Sequence, residues 1–309
     1  MEKTHYYIKG AKASKLHIIC WKNNDNNTKK VIHLLHGMAE YADRYEDFAE
    51  YLVNNGYTVY AHDHRKHGES LKGNQRRGIF DSSDNFANIT EDVKLVQRFI
   101  MKKEAVDKVI LLGHSMGSLI ARRYAQRYGE KLEAIILLGS MYQKTGMLFW
   151  GIAVSFLARL MSKDNKRSIA IDKAAFGNMN NSIKKKRTSY DWISSDEEQV
   201  DKYISDGKCG FRYSHRFYVF LFLEILKGQK KNTIRKTPDI PILFISGKED
   251  PIGYRGEGVK KLFQSYLQEG YRKKTKLHLV EGARHELLNE VNNREIYDYI
   301  RDWIKDVTV

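Results

Sequence analysis

Cysteine is scarce: Cys20 and Cys209 are the two in a chain of 309 residues. They stand far apart, and the opening stretch MEKTHYYIKGAKASKLHII has neither an apolar run nor a small-residue cleavage site. A disulfide framework is therefore not expected. Two buried, inert thiols in a cytoplasmic protein are. Long apolar runs are lacking as well. The longest, GMLFWGIAVSFLARLM, is broken by Arg159 and falls short of the ~20 residues that cross a bilayer. No internal repeat and no low-complexity linker is present.

Acidic residues are outnumbered, 38 Asp and Glu against 53 Lys and Arg, for a net charge of +15. The basic residues cluster in SIKKKRTS, LKGQKKNTIRK and YRKKTK. Such clusters solvate a surface, or draw it toward anionic lipid headgroups or nucleic acid. No nucleic-acid-binding motif accompanies them, so nucleic acid is not an expected partner. Weak contact with an anionic membrane surface is the expectation that charge leaves.

Hydrophobic residues are plentiful at 42%, enough for one large core or a core with a small cap. HYYIKG and KLHIICWK alternate apolar and polar positions, like an antiparallel hairpin. KKVIHLLHG is a nearly continuous apolar run, suited to a strand buried on both faces. YTVYAHD, KVILLG, LEAIILLG, IPILFISG and KLHLVEG read as further strands. Helical spacing falls between them. Phe48, Leu52 and Val53 share one face, and Ile89, Val93, Val96 and Ile100 another, with Thr90 and Asp92 as the predicted helix start. SLIARRYAQRYG closes at Gly129. In the last helix Ile296, Ile300, Trp303 and Ile304 lie together. Strands alternating with helices predict right-handed crossovers and a mainly parallel sheet flanked on both faces. The alternation lapses in the middle. Residues 140–237 are expected to form an inserted helical cap, and residues 1–139 and 238–309 the α/β core.

One strand-to-helix junction carries chemistry. Gly113-His114-Ser115-Met116-Gly117 has the G-x-S-x-G pattern of a nucleophile elbow. The strand KVILL precedes it and a helical stretch follows. A serine hydroxyl is a poor nucleophile at neutral pH and needs a base, and the base needs an orienting carboxylate. His285, just past the strand KLHLVEG, is the candidate base, because sheets of this kind place their sites at the carboxyl ends of strands. His278 falls inside that strand and suits the role less. Asp250, just past IPILFISG and before Pro251, is the candidate acid, with Glu249 as the second choice. Met116 and Met38, the latter after His36-Gly37, are the candidate backbone donors to an oxyanion. His33, His36, His62, His64, His67 and His114 read as structural. Their spacing suggests a metal site only weakly, and no metal is expected.

These motifs resemble a known family. HLLHGMAEYADRY, AHDHRKHGES, LLGHSMGS, ISGKEDPIG and EGARHELLNE are similar, in order and across nearly the whole chain, to α/β-hydrolases of the monoacylglycerol lipase and lysophospholipase type, grouped with serine aminopeptidases. SYDWISSDEEQVDKYISDGKCGF resembles that family's cap. The resemblance implies an eight-stranded α/β-hydrolase sheet with an inserted cap, a Ser115–His285–Asp250 triad, and an oxyanion hole from Met38 and Met116. It implies acyl-ester hydrolysis through an acyl-enzyme, with no cofactor. Asp63, Arg65 and Gly68 match a family loop read as structural. Lys66 stands where the family often has glycine.

In the insertion, Leu148, Ile152, Phe156, Arg159 and Leu160 recur at helical spacing, predicting a helix that buries a wide apolar face. That face packs on the core, lines an acyl tunnel, or does both. Phe149, Trp150, Ile152, Phe156, Met161, Trp192 and Phe217 are the candidate pocket residues. The expected activity is that of a serine carboxylester hydrolase. An aminopeptidase, a thioesterase or acyltransferase, and a non-catalytic binder on a hydrolase scaffold are the alternatives.

Overall fold

β1 (Glu2–Lys9) and β2 (Lys15–Lys22) pair as the antiparallel hairpin that their alternation predicts. They edge an eight-stranded sheet of order β1-β2-β4-β3-β5-β6-β7-β8. β3 is Val31–Leu35, β4 Thr58–His62, β5 Val109–His114, β6 Leu132–Leu138, β7 Ile242–Gly247 and β8 Thr275–Val280. β2 runs antiparallel to β4, and every later neighbour is parallel. This is the α/β-hydrolase fold. The computed structural model describes residues 1–23, 30–161, 167–271 and 275–308. Arg272, Lys273 and Lys274 of the third basic cluster lie outside the described residues.

β3, β4, β5 and β7 are buried at every residue, which is why they read as continuous apolar runs. Successive side chains feed opposite cores. Leu35, Leu111 and Phe244 face one, closed by α2 (Phe86–Glu104), α3 (Met116–Tyr128) and α9 (Glu257–Gln268). Ile32, Leu34 and Leu112 face the other, closed by α1 (Glu46–Asn54) and α10 (Asn293–Val307).

The start of α2 corrects one expectation. The helix begins at Phe86, where the Asn85 side chain accepts from the Asn88 N–H at 3.0 Å. Thr90 is instead a buried mid-helix residue whose hydroxyl bonds back to the Ala87 carbonyl at 3.0 Å. Asp92 is drawn inward by Arg65, at 2.7 Å. Both look like cap residues in sequence because a short polar side chain serves either purpose.

Between β6 and β7 the described residues hold α4 (Thr145–Met161), α5 (Ile169–Phe176), α6 (Glu197–Ser205), α7 (His215–Gly228) and α8 (Lys231–Ile234), and no strand of the sheet. α7 ties this helical stretch to the core. Glu224 on α7 receives Arg123 Nε of α3 at 2.7 Å, both side chains buried. α4 packs on α7 but buries only Leu148 and Ser155 fully. The wide buried face expected for it is narrower. Met147, Phe149, Trp150, Phe156, Leu157, Leu160 and Met161 are exposed, because α7 covers one side of the helix.

Candidate active site

β5 ends at His114 and α3 begins at Met116, so Ser115 is the whole of the turn. Its φ of 53° and ψ of −116° lie outside the regions an L-residue adopts without strain. Three bonds hold it there. Ser115 N–H donates to the Leu138 carbonyl at 2.9 Å, and the Ser115 carbonyl accepts from the Ser118 and Leu119 N–H groups at 2.9 and 3.2 Å. The flanking glycines are needed for close approach. A Cβ on Gly113 would stand 2.3 Å from the Gly117 carbonyl oxygen, and one on Gly117 would stand 2.1 Å from that of Leu35.

The residues named from chain order meet at this turn. Ser115 Oγ lies 2.8 Å from His285 Nε2, and His285 Nδ1 lies 3.0 Å from Asp250 Oδ2. His285 and Asp250 sit in the loops after β8 and β7, at the carboxyl edge of the sheet. Asp250 is fully buried, and its Oδ1 accepts from the Ile252 N–H at 2.8 Å. With Asp250 accepting from Nδ1–H, Nε2 keeps its lone pair for the Ser115 hydroxyl. Glu249 points the other way, to Arg255 at 3.0 Å on the surface. His278 stacks on Tyr299, with ring centroids 3.9 Å apart.

Met38 and Met116 line the same cavity as Ser115. Met116 opens α3, where N–H groups lack helical acceptors and the helix dipole favours negative charge. The Met38 loop is braced from the helical insertion. Ala39 N–H donates to the Tyr213 hydroxyl at 2.6 Å, and the Ala39 carbonyl accepts from Gly210 N–H at 3.0 Å and Tyr203 OH at 3.2 Å.

Beneath lies an ionic cluster that the sequence did not announce. Glu40 accepts from Gly37 N–H at 2.5 Å, Arg44 at 2.7 Å and Tyr45 OH at 2.8 Å, and faces His114 Nδ1 at 3.1 Å. Arg44 reaches on to both oxygens of Glu286, at 3.0 and 2.8 Å. His114 Nε2 lies 3.2 Å from the His285 carbonyl. Burial pushes Glu40 up, but Arg44 and His114 outweigh it and hold the carboxyl down at about 2. Burial pushes His114 down, and Glu40 more than offsets it, so the net shift is upward. These hydrogen bonds link the Met38 loop, the elbow and the His285 loop. Among the described residues no group of three or more His, Cys, Asp or Glu could hold a metal ion.

The cavity measures about 1220 Å³. Trp150 and Trp192 line it, and the Trp192 ring lies 5.4 Å from that of His285, centroid to centroid. The other proposed pocket residues are elsewhere. Phe217 is fully buried against Phe80, Tyr213 and Phe220. Ile152 is half-buried and packs against the main core. Phe149, Phe156 and Met161 are exposed to solvent. Helical spacing located the face but not its neighbour. Leu119, Leu148, Leu221 and Ile225 supply much of the apolar wall instead. Arg122, which the sequence reading passed over, also lines the cavity, although buried. Its one signal was its position seven residues beyond Ser115 on a helix.

Residues 26–292 match the family model described as serine aminopeptidase, S33. The chain is 26% identical to the monoacylglycerol lipase of Mycolicibacterium smegmatis, over 91% of this chain and 89% of that protein. A thermostable carboxyl esterase from Bacillus coagulans superposes with a TM-score of 0.90 at 24% identity, covering all of both chains. A soluble variant of the Saccharomyces cerevisiae monoglyceride lipase, solved with a substrate analog, superposes at 0.76 and 19% identity, covering 98% of this chain and 95% of that one.

Proposed function

The chain belongs to the family described as serine aminopeptidase, S33, and on that premise we propose that it is a serine carboxylester hydrolase acting on acyl esters of the monoacylglycerol or lysophospholipid class. The observation that carries this reading is the relay of 2.8 and 3.0 Å from Ser115 through His285 to Asp250. Ser115 Oγ attacks the acyl carbonyl as His285 Nε2 takes its proton. The Met38 and Met116 amides hold the oxyanion. His285 returns the proton to the departing alcohol, leaving an acyl-enzyme. Water, deprotonated by His285, then releases the acid. Asp250 keeps the imidazole in the required tautomer throughout.

The names of relatives support the ester class, since the M. smegmatis and human proteins are a monoacylglycerol and a monoglyceride lipase. A cavity of about 1220 Å³ walled by Leu119, Leu221 and Ile225 supports an acyl chain. Residues 140–237 act as its cap. The exposed apolar residues of α4, with Lys184, Lys185 and Lys186 exposed in the same insertion, suit weak contact with an anionic lipid surface that carries the substrate. The two buried, unbridged thiols fit a cytoplasmic setting. No helix among the described residues is long and apolar enough to cross a membrane.

The test is hydrolysis of p-nitrophenyl esters of increasing length, with monoolein, lysophosphatidylcholine and amino-acid anilides alongside. Ser115→Ala is expected to lower turnover by a factor on the order of 10⁴ to 10⁶ while the protein stays folded. A fluorophosphonate probe is expected to label Ser115. Wild-type rates in the alanine variant would end the proposal.

A further inference from the structure

We infer that Arg284 is a positioning residue that seats His285 on the helical insertion, so that the insertion, and not the sheet alone, sets where the imidazole stands. The inference deepens the hydrolase reading and rests on it for the role of His285. Residues 191–195, just before α6, run against the loop 284–290 and are bonded to it on both sides of His285. Arg284 Nη1 donates to the Asp191 and Ser194 carbonyls at 2.6 and 2.7 Å. Glu286 N–H donates to the Ile193 carbonyl at 2.6 Å. The Ser194 hydroxyl donates to the Asn289 carbonyl at 2.7 Å. Glu290 is buried and closes the loop. It accepts from Arg284 N–H at 2.6 Å and from Ser195 N–H at 3.0 Å, and the Ser195 hydroxyl bonds the same carboxyl group.

The core holds the loop at other points. Glu249 N–H reaches the Ala283 carbonyl at 2.9 Å, Tyr297 OH the Leu288 carbonyl at 2.7 Å, and His114 lies 3.2 Å from the His285 carbonyl. Arg44 takes the Glu286 carboxyl group. The guanidinium of Arg284 and the amide of Glu286, which flank the imidazole in sequence, go to the insertion instead. A connecting loop is mobile unless it is tied down, and a base displaced by 1 Å can cost on the order of 10² in rate. Bonds from a charged donor are the stronger ties, and Arg284 makes two of them. The insertion side is itself anchored in the cavity wall. Trp192 N–H donates to Asn180 Oδ1 at 2.9 Å, and the Asp191 carboxyl group accepts from Thr188 N–H at 3.0 Å. Asn180, Thr188 and Trp192 line the cavity, whereas Arg284, Ser194 and Glu290 do not. A substrate pressing on that wall meets the segment that seats the base, while Arg284 acts without touching the substrate.

The experiment reads His285 directly, by its rate of carbethoxylation with diethyl pyrocarbonate, located by peptide mass spectrometry. It is run in the Ser115→Ala background, so that no reaction at the serine intervenes. His285 is 4% exposed, and His33, fully buried, is the control. Arg284→Met removes both guanidinium bonds and is expected to quicken reaction at His285 by about tenfold or more while His33 stays slow. Ser194→Ala removes one bond to the loop from the insertion side and is expected to act in the same direction by about threefold. With Ser115 in place, Arg284→Met is expected to lower kcat for p-nitrophenyl octanoate by about 10- to 100-fold with KM within about threefold of wild type, and Arg284→Lys to recover part of the loss. An unchanged rate at His285 in Arg284→Met overturns the inference. So does His33 quickening in step, which reports general loosening, or a kcat within about twofold of wild type in Arg284→Met. If the methionine variant fails to fold, Ser194→Ala decides, and an unchanged rate at His285 there overturns the inference. If no ester is turned over, the hydrolase reading fails separately, and carbethoxylation alone decides how His285 is seated.

Discussion

Asp250→Asn isolates what the carboxylate does, because the change is nearly isosteric at a fully buried position. Beside a long 3.4 Å bond from Ser246 Oγ to Oδ2, which an NH₂ can replace by donating to that hydroxyl, two contacts set its outcome. Oδ1 accepts from the Ile252 N–H at 2.8 Å, and Oδ2 lies 3.0 Å from His285 Nδ1. An asparagine keeps its carbonyl oxygen toward Ile252, since an NH₂ there would oppose a backbone donor. Its NH₂ is then left facing Nδ1. Nδ1 becomes an acceptor, the imidazole proton moves to Nε2, and the nitrogen 2.8 Å from Ser115 Oγ can no longer take the hydroxyl proton. The wrong-tautomer penalty in a serine triad is on the order of 10⁴ in kcat, or about 5.4 kcal/mol of barrier. Steady-state hydrolysis of a p-nitrophenyl ester is expected to show that loss in kcat with KM little changed. Thermal unfolding is expected to move by no more than a few degrees. A folded Asn variant within tenfold of wild-type kcat would refute the relay.

Acid is expected to destabilise the fold through its buried histidines. Burial, reinforced by neighbouring histidines, takes His33 and His64 from the ordinary 6.5 down to about 3, and burial takes His67 to about 4. His36 and His62 are pushed well below 6.5 by the same causes. Because these folded-state values are depressed, the unfolded chain binds the extra protons. The stability is full above about pH 6.5 and is lost as pH falls from there toward about 4 for His67 and about 3 for His33 and His64, by up to ~1.4 kcal/mol per pH unit for each histidine, with His114 opposing. Urea unfolding between pH 7 and 5 reads this, and a flat or rising stability on acidification contradicts it. Gly117→Ala would set a Cβ 2.1 Å from the Leu35 carbonyl oxygen, so a cost of about 3 kcal/mol or more is expected in chemical denaturation. A variant within ~0.5 kcal/mol of wild type would show that the elbow can relax. Tyr213→Phe strands the Ala39 N–H and His67 Nε2, each 2.6 Å from the lost hydroxyl. A stability loss of about 1–3 kcal/mol is expected, with a fall in kcat as the Met38 loop loosens. An unchanged kcat would detach that loop from the reaction.

Local pattern carried most of the sheet. A strand buried on both faces must be apolar throughout, so β3, β5 and β7 were visible as runs, and the elbow pentapeptide marked the junction of β5 with α3. Chain order then pointed to Asp250 and His285, because loops at the carboxyl edge of a parallel sheet converge whatever their separation in sequence. Helix α2 was recognised but read as starting late, since Thr90 and Asp92 look like caps in sequence, whereas Thr90 bonds back within its own helix, Arg65 claims Asp92, and Asn85 makes the cap.

By itself, then, the sequence determined the alternation of elements, the strained serine between two glycines, and the partners that the serine needs. Periodicity and close approach are properties of residues near one another along the chain. The tertiary structure decided what depends on neighbours from distant segments. It left Phe156 in solvent, because α7 covers only one side of α4, and put Phe217 of α7 in the core among Phe80, Tyr213 and Phe220. It gathered Glu40, Arg44, His114 and Glu286 into one hydrogen-bonded brace. And it separated two adjacent arginines of α3: a turn of about 100° per residue sends Arg123 to Glu224 and Arg122 to the wall of the cavity, where it meets no carboxylate among the described residues.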